Sequence, residues 1–134
     1  MSQKIVLMSS PEYFKVEYSI NPWMVPGTNV DLELAKDQWN GLKRTIEEAG
    51  AEVKVVPPSE NHPDLVFTAN SGIISGNDVL IANFKFEERR GEEEIYIKWF
   101  KENEYNVSRI PPDYKFEGRG DAFVYGDYLV GSYG

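Results

Sequence analysis

The sequence contains no cysteine and only one histidine, His62. Without cysteine, these 134 residues can form no disulfide and no thiolate metal site, and they supply no cysteine nucleophile. A single histidine excludes a metal site built from several imidazoles. His62 lies between Asn61 and Pro63, which is typical of an exposed loop rather than of a catalytic site. We predict no metal, and no organic cofactor is implied.

Positive charge is also scarce: 14 Lys and Arg stand against 22 Asp and Glu, which gives a formal net charge of -8. Nucleic acids and anionic membranes attract clustered cations, so neither is an expected partner, whereas a small cationic ligand is compatible with this charge. Near the N-terminus only Ile5 to Met8 is continuously apolar, too short for a signal peptide or a membrane span. We predict a cytoplasmic protein.

What the chain does contain suits one packed domain, because 41% of its residues are hydrophobic and 13% are aromatic. Strands and helices are predicted in an α/β arrangement. The predicted elements are strands at Ile5–Met8, Val53–Val56, Asp64–Thr68, Gly72–Ser75, Val79–Phe84, Asn106–Ile110, Ala122–Tyr125 and Tyr128–Tyr133, and helices at Asp31–Ala49 and Arg89–Glu104. In the second helix, Glu92 to Glu94 are predicted to form an acidic first turn, and Tyr96, Trp99 and Phe100 to face inward.

Two parts of the sequence repeat. Gly76-Asn77-Asp78-Val79-Leu80 aligns with Gly126-Asp127-Tyr128-Leu129-Val130 at an offset of 50 residues. The repeating unit is two strands, a helix and a further strand, and a repeat of this length predicts a ring or array of similar units. The chain stops just after a third unit opens, at Gly131-Ser132-Tyr133-Gly134, so we expect a truncated or split protein.

The stretch Phe116-Glu117-Gly118-Arg119-Gly120-Asp121 places two carboxylates four residues apart, with a glycine on each side of Arg119. Glycine allows a ligand to approach the main chain closely. The apolar residues Ala122 to Tyr125 follow at once, so the pattern indicates acids at the mouth of a sheet, facing a polar or cationic ligand. An acidic turn between two strands is the plainer alternative.

Three further polar residues are candidates for ligand contact. Asn70 follows an apolar segment, where its amide could accept hydrogen bonds from a ligand or serve as a turn residue. Arg89 could bind a carboxylate through two parallel hydrogen bonds, or pair with the acids that follow it. Asn21 lies in the apolar loop Ile20 to Met24 and needs a partner, either backbone or ligand.

Several of these stretches together resemble the guanidino-group-modifying enzymes, which include dimethylarginine dimethylaminohydrolase, arginine deiminase and the amidinotransferases. The resemblance is carried by Pro63-Asp64-Leu65-Val66-Phe67-Thr68-Ala69-Asn70, Phe116-Glu117-Gly118 and Gly120-Asp121. Pro11-Glu12-Tyr13-Phe14 and Ile20-Asn21-Pro22-Trp23-Met24 are most similar to the arginine dihydrolase and dimethylargininase-like members. The resemblance to these enzymes implies a partial pentein α/β propeller of ββαβ repeats, which is about half of a fivefold ring. Residues 1–134 would be the N-terminal portion of one such domain.

The resemblance also implies a role for each candidate residue. Glu117 would be the catalytic glutamate, which binds the guanidinium and orients a histidine. Asp121 would support substrate binding, and Asn70 would contact the guanidinium through its amide oxygen. Arg89 would hold the substrate carboxylate, and Asn21 would close the pocket. A planar guanidinium offers five N–H donors, which a carboxylate accepts two at a time.

In that family a cysteine attacks the guanidinium carbon to form a covalent intermediate, and a histidine acts as acid and base. Both follow the motif that contains Glu117, where this chain has neither. We therefore expect part of a hydrolase of linear amidines that is inactive alone, with its cysteine and histidine on a C-terminal segment or a complementary chain. Because half of a ring has unpaired strand edges and an uncovered apolar face, we also expect a homo-oligomer or a contact with another chain. The alternative is a non-catalytic pentein module that binds a ligand or a protein, as the fold does in a ribosome-associated translation factor.

Overall fold

A computed structural model describes residues 4–132 of the chain, which form an α/β protein. The chain divides into two compact units, one running up to Thr68 and the other from Ala69 onward. The first unit contains β1 (Ile5–Ser9), α1 (Leu32–Glu48) and β2 (Glu52–Val56). The second contains β3 (Gly72–Ser75), β4 (Asp78–Ile81), α2 (Glu87–Glu102), β5 (Asn106–Arg109), β6 (Ala122–Tyr125) and β7 (Tyr128–Gly131).

In the first unit, β1 and β2 pair in parallel, and α1 makes the crossover that a parallel pair requires. The helix begins after Asp31, whose Oδ1 accepts a hydrogen bond from the Leu34 N–H at 3.0 Å. It ends before Gly50, which has a φ of +88°. These three predicted elements are confirmed to within two residues at their ends.

The predicted strand Asp64–Thr68 is wrong. Pro63–Val66 forms a 3₁₀ turn, in which the Phe67 N–H donates to the Asp64 carbonyl at 3.0 Å. Pro63, Asp64 and Leu65 are buried in succession, whereas a half-buried strand would alternate its faces. The side chain of Asp64 satisfies its buried carboxylate by accepting from the Tyr18 hydroxyl at 2.8 Å.

In the second unit, β3, β4 and β5 form one sheet in that order, with β3 and β4 antiparallel and β4 and β5 parallel. The helix α2 lies between β4 and β5 in the chain and packs against both strands. Tyr96, Trp99 and Phe100 on this helix are buried, as predicted. The Trp99 and Phe100 rings meet edge to face, with centroids 5.3 Å apart.

The start of α2 differs from the prediction. The helix begins at Glu87, so Glu87 and Glu88 form its acidic first turn. Glu92 consequently lies one turn further along and is fully buried rather than placed at an exposed helix end. Among the described residues, no helix combines the length and the apolar character that a bilayer span requires.

The two hairpins of the second unit follow the repeat seen in the sequence. Each paired position of β6–β7 lies 50 residues after its counterpart in β3–β4, as with Gly72 and Ala122. Both turns begin with a glycine of positive φ, +59° at Gly76 and +58° at Gly126, as two-residue hairpin turns require. The predicted end of the last strand, Tyr133, lies outside the described residues. A closed ring of such units stays a prediction.

Candidate functional site

The residues just before β6 form a short turn that is tied to the end of the β3–β4 hairpin. Asn83 and Phe116 exchange two backbone hydrogen bonds, of 2.8 and 3.1 Å. A 3₁₀ turn, Gly118–Gly120, follows, with Glu117 before it and Asp121 after it. The two carboxylates thus stand at the head of β6, as the sequence predicts.

Gly118 allows this turn to lie directly against the backbone around Asn70. Its φ of +62° belongs to the left-handed region. A Cβ at this position would lie 2.7 Å from the Ala69 carbonyl oxygen and 2.8 Å from the Gly72 nitrogen. Both atoms are backbone and cannot rotate away, so a larger residue would push the turn off Asn70.

Asn70, Glu117 and Asp121 are direct neighbours. The Asp121 carboxylate accepts a hydrogen bond from the Glu117 N–H at 2.7 Å, and the Asn70 amide donates to the Glu117 carbonyl at 3.2 Å. Both contacts are made by backbone atoms of Glu117, so they fix the position of its main chain, from which the carboxylate side chain extends. No group within residues 4–132 donates a hydrogen bond to the Glu117 carboxylate itself.

Glu117 and Asp121 line a cavity of about 430 Å³, a volume suited to a small organic ligand. Two lysines, Lys85 and Lys115, line the same cavity. Opposite charges around one space suit a ligand that carries both signs. Sequence analysis missed both lysines, because only the fold brings them to the two acids. In the described part of the chain, this cavity included, no three acidic or histidine side chains are grouped as a metal ion would require.

Arg89 is buried, with 4% of its surface exposed, and donates within the protein. Its Nε and Nη2 donate to the two carboxylate oxygens of Glu92 at 2.9 and 2.7 Å. Its Nη1 donates to Oδ1 of Asn70 at 3.0 Å, and its guanidinium carbon lies 4.5 Å from the centre of the Phe84 ring. Pairing with a following acid, one of the two roles considered above, is therefore observed. Its contact with a ligand carboxylate stays a prediction.

Glu92 is a residue of this site that sequence analysis did not single out. Its spacing of three from Arg89 is a usable signal, because residues three apart on a helix are neighbours. Glu92 also affects Tyr96: burial raises the pKa of Tyr96 well above its usual value, and the Glu92 charge adds to the rise. The Tyr96 hydroxyl is therefore neutral.

The remaining candidate, Asn21, and the single histidine, His62, belong to the first unit. Asn21 is exposed, and its Oδ1 accepts a hydrogen bond from the Trp23 N–H at 3.0 Å. Its side chain thus has a backbone partner, and its contact with a ligand stays a prediction. His62 is half-buried, with its Nδ1 2.8 Å from the Ser59 hydroxyl. Burial lowers the pKa of His62 below its usual value.

Comparison with known proteins assigns the chain to a family. A family model described as N,N dimethylarginine dimethylhydrolase, eukaryotic, matches residues 21–130. The chain belongs to this family. The matched range contains every candidate residue from Asn21 to Asp121. The predicted relationship to guanidino-group-modifying enzymes is confirmed.

Individual members of the family are similar over nearly all of this chain. The bifunctional arginine dihydrolase/ornithine cyclodeaminase ArgZ of Synechocystis is 42% identical over 132 residues, which cover 96% of this chain and 19% of ArgZ. The N(G),N(G)-dimethylarginine dimethylaminohydrolase of Mycobacterium tuberculosis is 35% identical over 127 residues, covering 95% of this chain and 41% of that enzyme. The chain spans less than half the length of either relative.

The fold is shared as well. The crystal structure of the N-terminal domain of ArgZ bound to product superposes with a TM-score of 0.91 at 40% identity, covering 99% of this chain and 50% of that one. The predicted α/β class is confirmed. The superposition covers half of the ArgZ domain, so the shared fold is shown for that half of the domain only.

Proposed function

We propose that this chain provides the cation-binding side of a hydrolase that acts on the guanidino group of arginine or a methylated arginine. Two carboxylates that line one cavity, Glu117 and Asp121, carry this proposal. Membership of the N,N-dimethylarginine dimethylhydrolase family supports the substrate class. So do two relatives, one named as an arginine dihydrolase and the other as a dimethylarginine dimethylaminohydrolase.

Glu117 is the catalytic residue of this proposal. Its carboxylate accepts two parallel hydrogen bonds from the planar guanidinium and orients the histidine that acts as acid and base. Arginine-like guanidinium groups stay charged at neutral pH, so an ionised carboxylate is the matching partner. Asp121 adds a second negative charge on the same cavity and holds the Glu117 backbone through its N–H.

The other predicted contacts complete the proposed substrate site. Asn70 offers its amide oxygen to the guanidinium, sharing that oxygen with Arg89. Arg89 is proposed to hold the substrate carboxylate from the position that Glu92 gives it, where 4% of its surface is exposed. Asn21 is proposed to close the pocket.

The chemical step needs groups that these 134 residues do not contain. Attack on the guanidinium carbon by a thiolate requires a cysteine, and the sequence has none. We therefore place the cysteine and the histidine outside this chain, in a C-terminal segment or a partner chain. The corresponding fold is a pentein propeller of which this chain forms about half, and the 50-residue repeat of the hairpins supports it.

Calorimetric titration with L-arginine and with L-citrulline tests the proposal. Citrulline has the same shape but a neutral head, so it should bind far more weakly than arginine. Replacing a carboxylate by its amide removes one charged hydrogen-bonding partner, worth about 1.5 to 3 kcal/mol. Glu117→Gln and Asp121→Asn should therefore weaken arginine binding by about 10- to 100-fold. Asp127→Asn, the same change in the β6–β7 turn, should leave it unchanged.

Equal affinity for arginine and citrulline would contradict the proposal. So would an arginine affinity that Glu117→Gln leaves intact. A turnover assay on the purified chain adds a second readout: release of ammonia or dimethylamine is expected to be absent. Appreciable turnover would show that the nucleophile is not a cysteine supplied from elsewhere.

A further inference from the structure

Glu92 is a fully buried carboxylate that no part of the proposed chemistry uses. It lies in the second turn of α2 with 0% of its surface exposed. A buried charge is costly unless it is paired and hydrogen-bonded. Glu92 meets this requirement through the two-pronged contact with Arg89, at 2.9 and 2.7 Å. Breaking such a buried pair is much more damaging than replacing both partners together.

The contact with Glu92 fixes the position of the Arg89 guanidinium. The Nε edge is held by Glu92, the face lies over the Phe84 ring, and Nη1 points at Asn70. A guanidinium can only donate hydrogen bonds, so the Asn70 group that faces it must be the carbonyl oxygen. Asn70 then necessarily directs its amide nitrogen the other way, towards the Glu117 carbonyl at 3.2 Å.

From this series of contacts we infer that Glu92 is a positioning residue for the turn that carries Glu117 and Asp121. Glu92 holds Arg89, Arg89 sets the orientation of the Asn70 amide, and Asn70 holds the backbone of Glu117. The inference rests on the proposed function for its ligand and adds a buried residue that touches no ligand. If this is so, the affinity for a guanidinium depends on the buried carboxylate of Glu92 on α2, which does not contact the ligand.

The variant Glu92→Gln tests the inference on the full chain. Glutamine keeps the size of glutamate, but its NH₂ end opposes the Arg89 donors, so the two-pronged contact is lost. In NMR spectra, the Arg89 Nε–H and the Asn70 side-chain amide signals should shift and exchange faster with solvent. Arginine affinity should fall about tenfold or more, because small misplacements of a binding group have large effects. Glu88→Gln, on the exposed part of the same helix, should change neither.

A second variant is needed because Glu92→Gln could fail to fold. This substitution leaves the buried charge of Arg89 without the carboxylate that pairs with it. The double substitution Arg89→Met with Glu92→Leu removes both charges at similar volume, a change that proteins often tolerate without loss of stability. It should fold, and it should still shift and broaden the Asn70 amide signals, because their orienting partner is gone.

The outcomes separate this inference from the proposed function. If the Asn70 signals stay unchanged in both variants, Glu92 does not position the site. If they change but arginine affinity does not, the positioning has no bearing on binding and the inference is also overturned. If the wild-type protein does not bind arginine while the signals respond as expected, the proposed function fails and the structural link from Glu92 to Glu117 is upheld.

Discussion

The hairpins β3–β4 and β6–β7 have the same register, the same turn and almost the same glycine φ, yet their surroundings differ. Val79 in β4 is fully buried, whereas Leu129, its counterpart 50 residues later in β7, is 62% exposed. The first hairpin pairs with β5 and is covered by α2, whereas β6 and β7 form a sheet of two strands. Local sequence thus determines the shape of each hairpin, and burial depends on what packs against it.

The largest expected effect separates two glycines of the same backbone conformation. Gly118 has a φ of +62° and Gly126 a φ of +58°. An alanine Cβ at Gly118 would meet backbone atoms at 2.7 Å, whereas at Gly126 it would meet nothing within 4 Å. Gly126→Ala should cost about 1 to 2 kcal/mol, the ordinary cost of the left-handed conformation. Gly118→Ala should cost more than about 3 kcal/mol, because the clash adds to it.

Chemical denaturation of both glycine variants measures this difference. Gly118→Ala should in addition weaken arginine binding, because the turn that carries Glu117 and Asp121 can no longer pack on Asn70. Equal losses of stability in the two variants would mean that the close approach at Gly118 is absent in solution.

The next effect compares the two hairpins directly. Val79→Ala removes buried methyl groups and leaves a cavity, so it should lower the free energy of unfolding by about 2 kcal/mol. Leu129→Ala shortens an exposed side chain and should change it by less than about 0.5 kcal/mol. Urea denaturation curves of both variants give the two values. A loss at Leu129 as large as that at Val79 would show that β6–β7 is covered in solution.

The smallest effect concerns pH. Burial lowers the pKa of His62 below its usual 6.5, so the folded state binds fewer protons than the unfolded state in this range. Stability should therefore be highest above about pH 6.5 and should fall slightly as the pH drops towards the lowered pKa. Neither hairpin contains a histidine. The difference in the free energy of unfolding between Val79→Ala and Leu129→Ala should therefore not change with pH in this range.

Thermal unfolding of the wild type and of His62→Asn between about pH 7 and 5.5 measures this dependence. The variant should have a flatter profile. If instead the wild type loses more stability than the variant as the pH rises, the pH dependence has the opposite sign and burial of His62 is excluded as its cause.

Both hairpins could be predicted from the sequence because their turns depend on neighbouring residues. Gly76-Asn77 and Gly126-Asp127 have the residue types that a two-residue turn requires, and the flanking strands follow. The Asp64–Thr68 segment could not be predicted in this way. Its apolar residues suit a strand, but Pro63 and the hydrogen bond from the Tyr18 hydroxyl to the Asp64 carboxylate hold a turn instead.

The candidate site was predictable only in part. Glu117 and Asp121 are found together because they are four residues apart and enclose the Gly118-Arg119-Gly120 segment. Asn70 lies beside them because Gly118 lets its own backbone approach the backbone around Asn70 closely. This close approach is a feature of the folded chain and cannot be read from the local sequence. The buried pair of Arg89 and Glu92 depends on where α2 begins, and helix ends are the least certain feature of a sequence-based prediction.

The most direct test of the account is to map L-arginine onto the amide resonances of the isotopically labelled chain. A guanidinium held by Glu117 and Asp121 should shift the amides of residues 117–121 and the side-chain amide of Asn70, and L-citrulline should not. Shifts that arginine and citrulline produce equally, or that fall only on residues distant from this turn, would contradict the account.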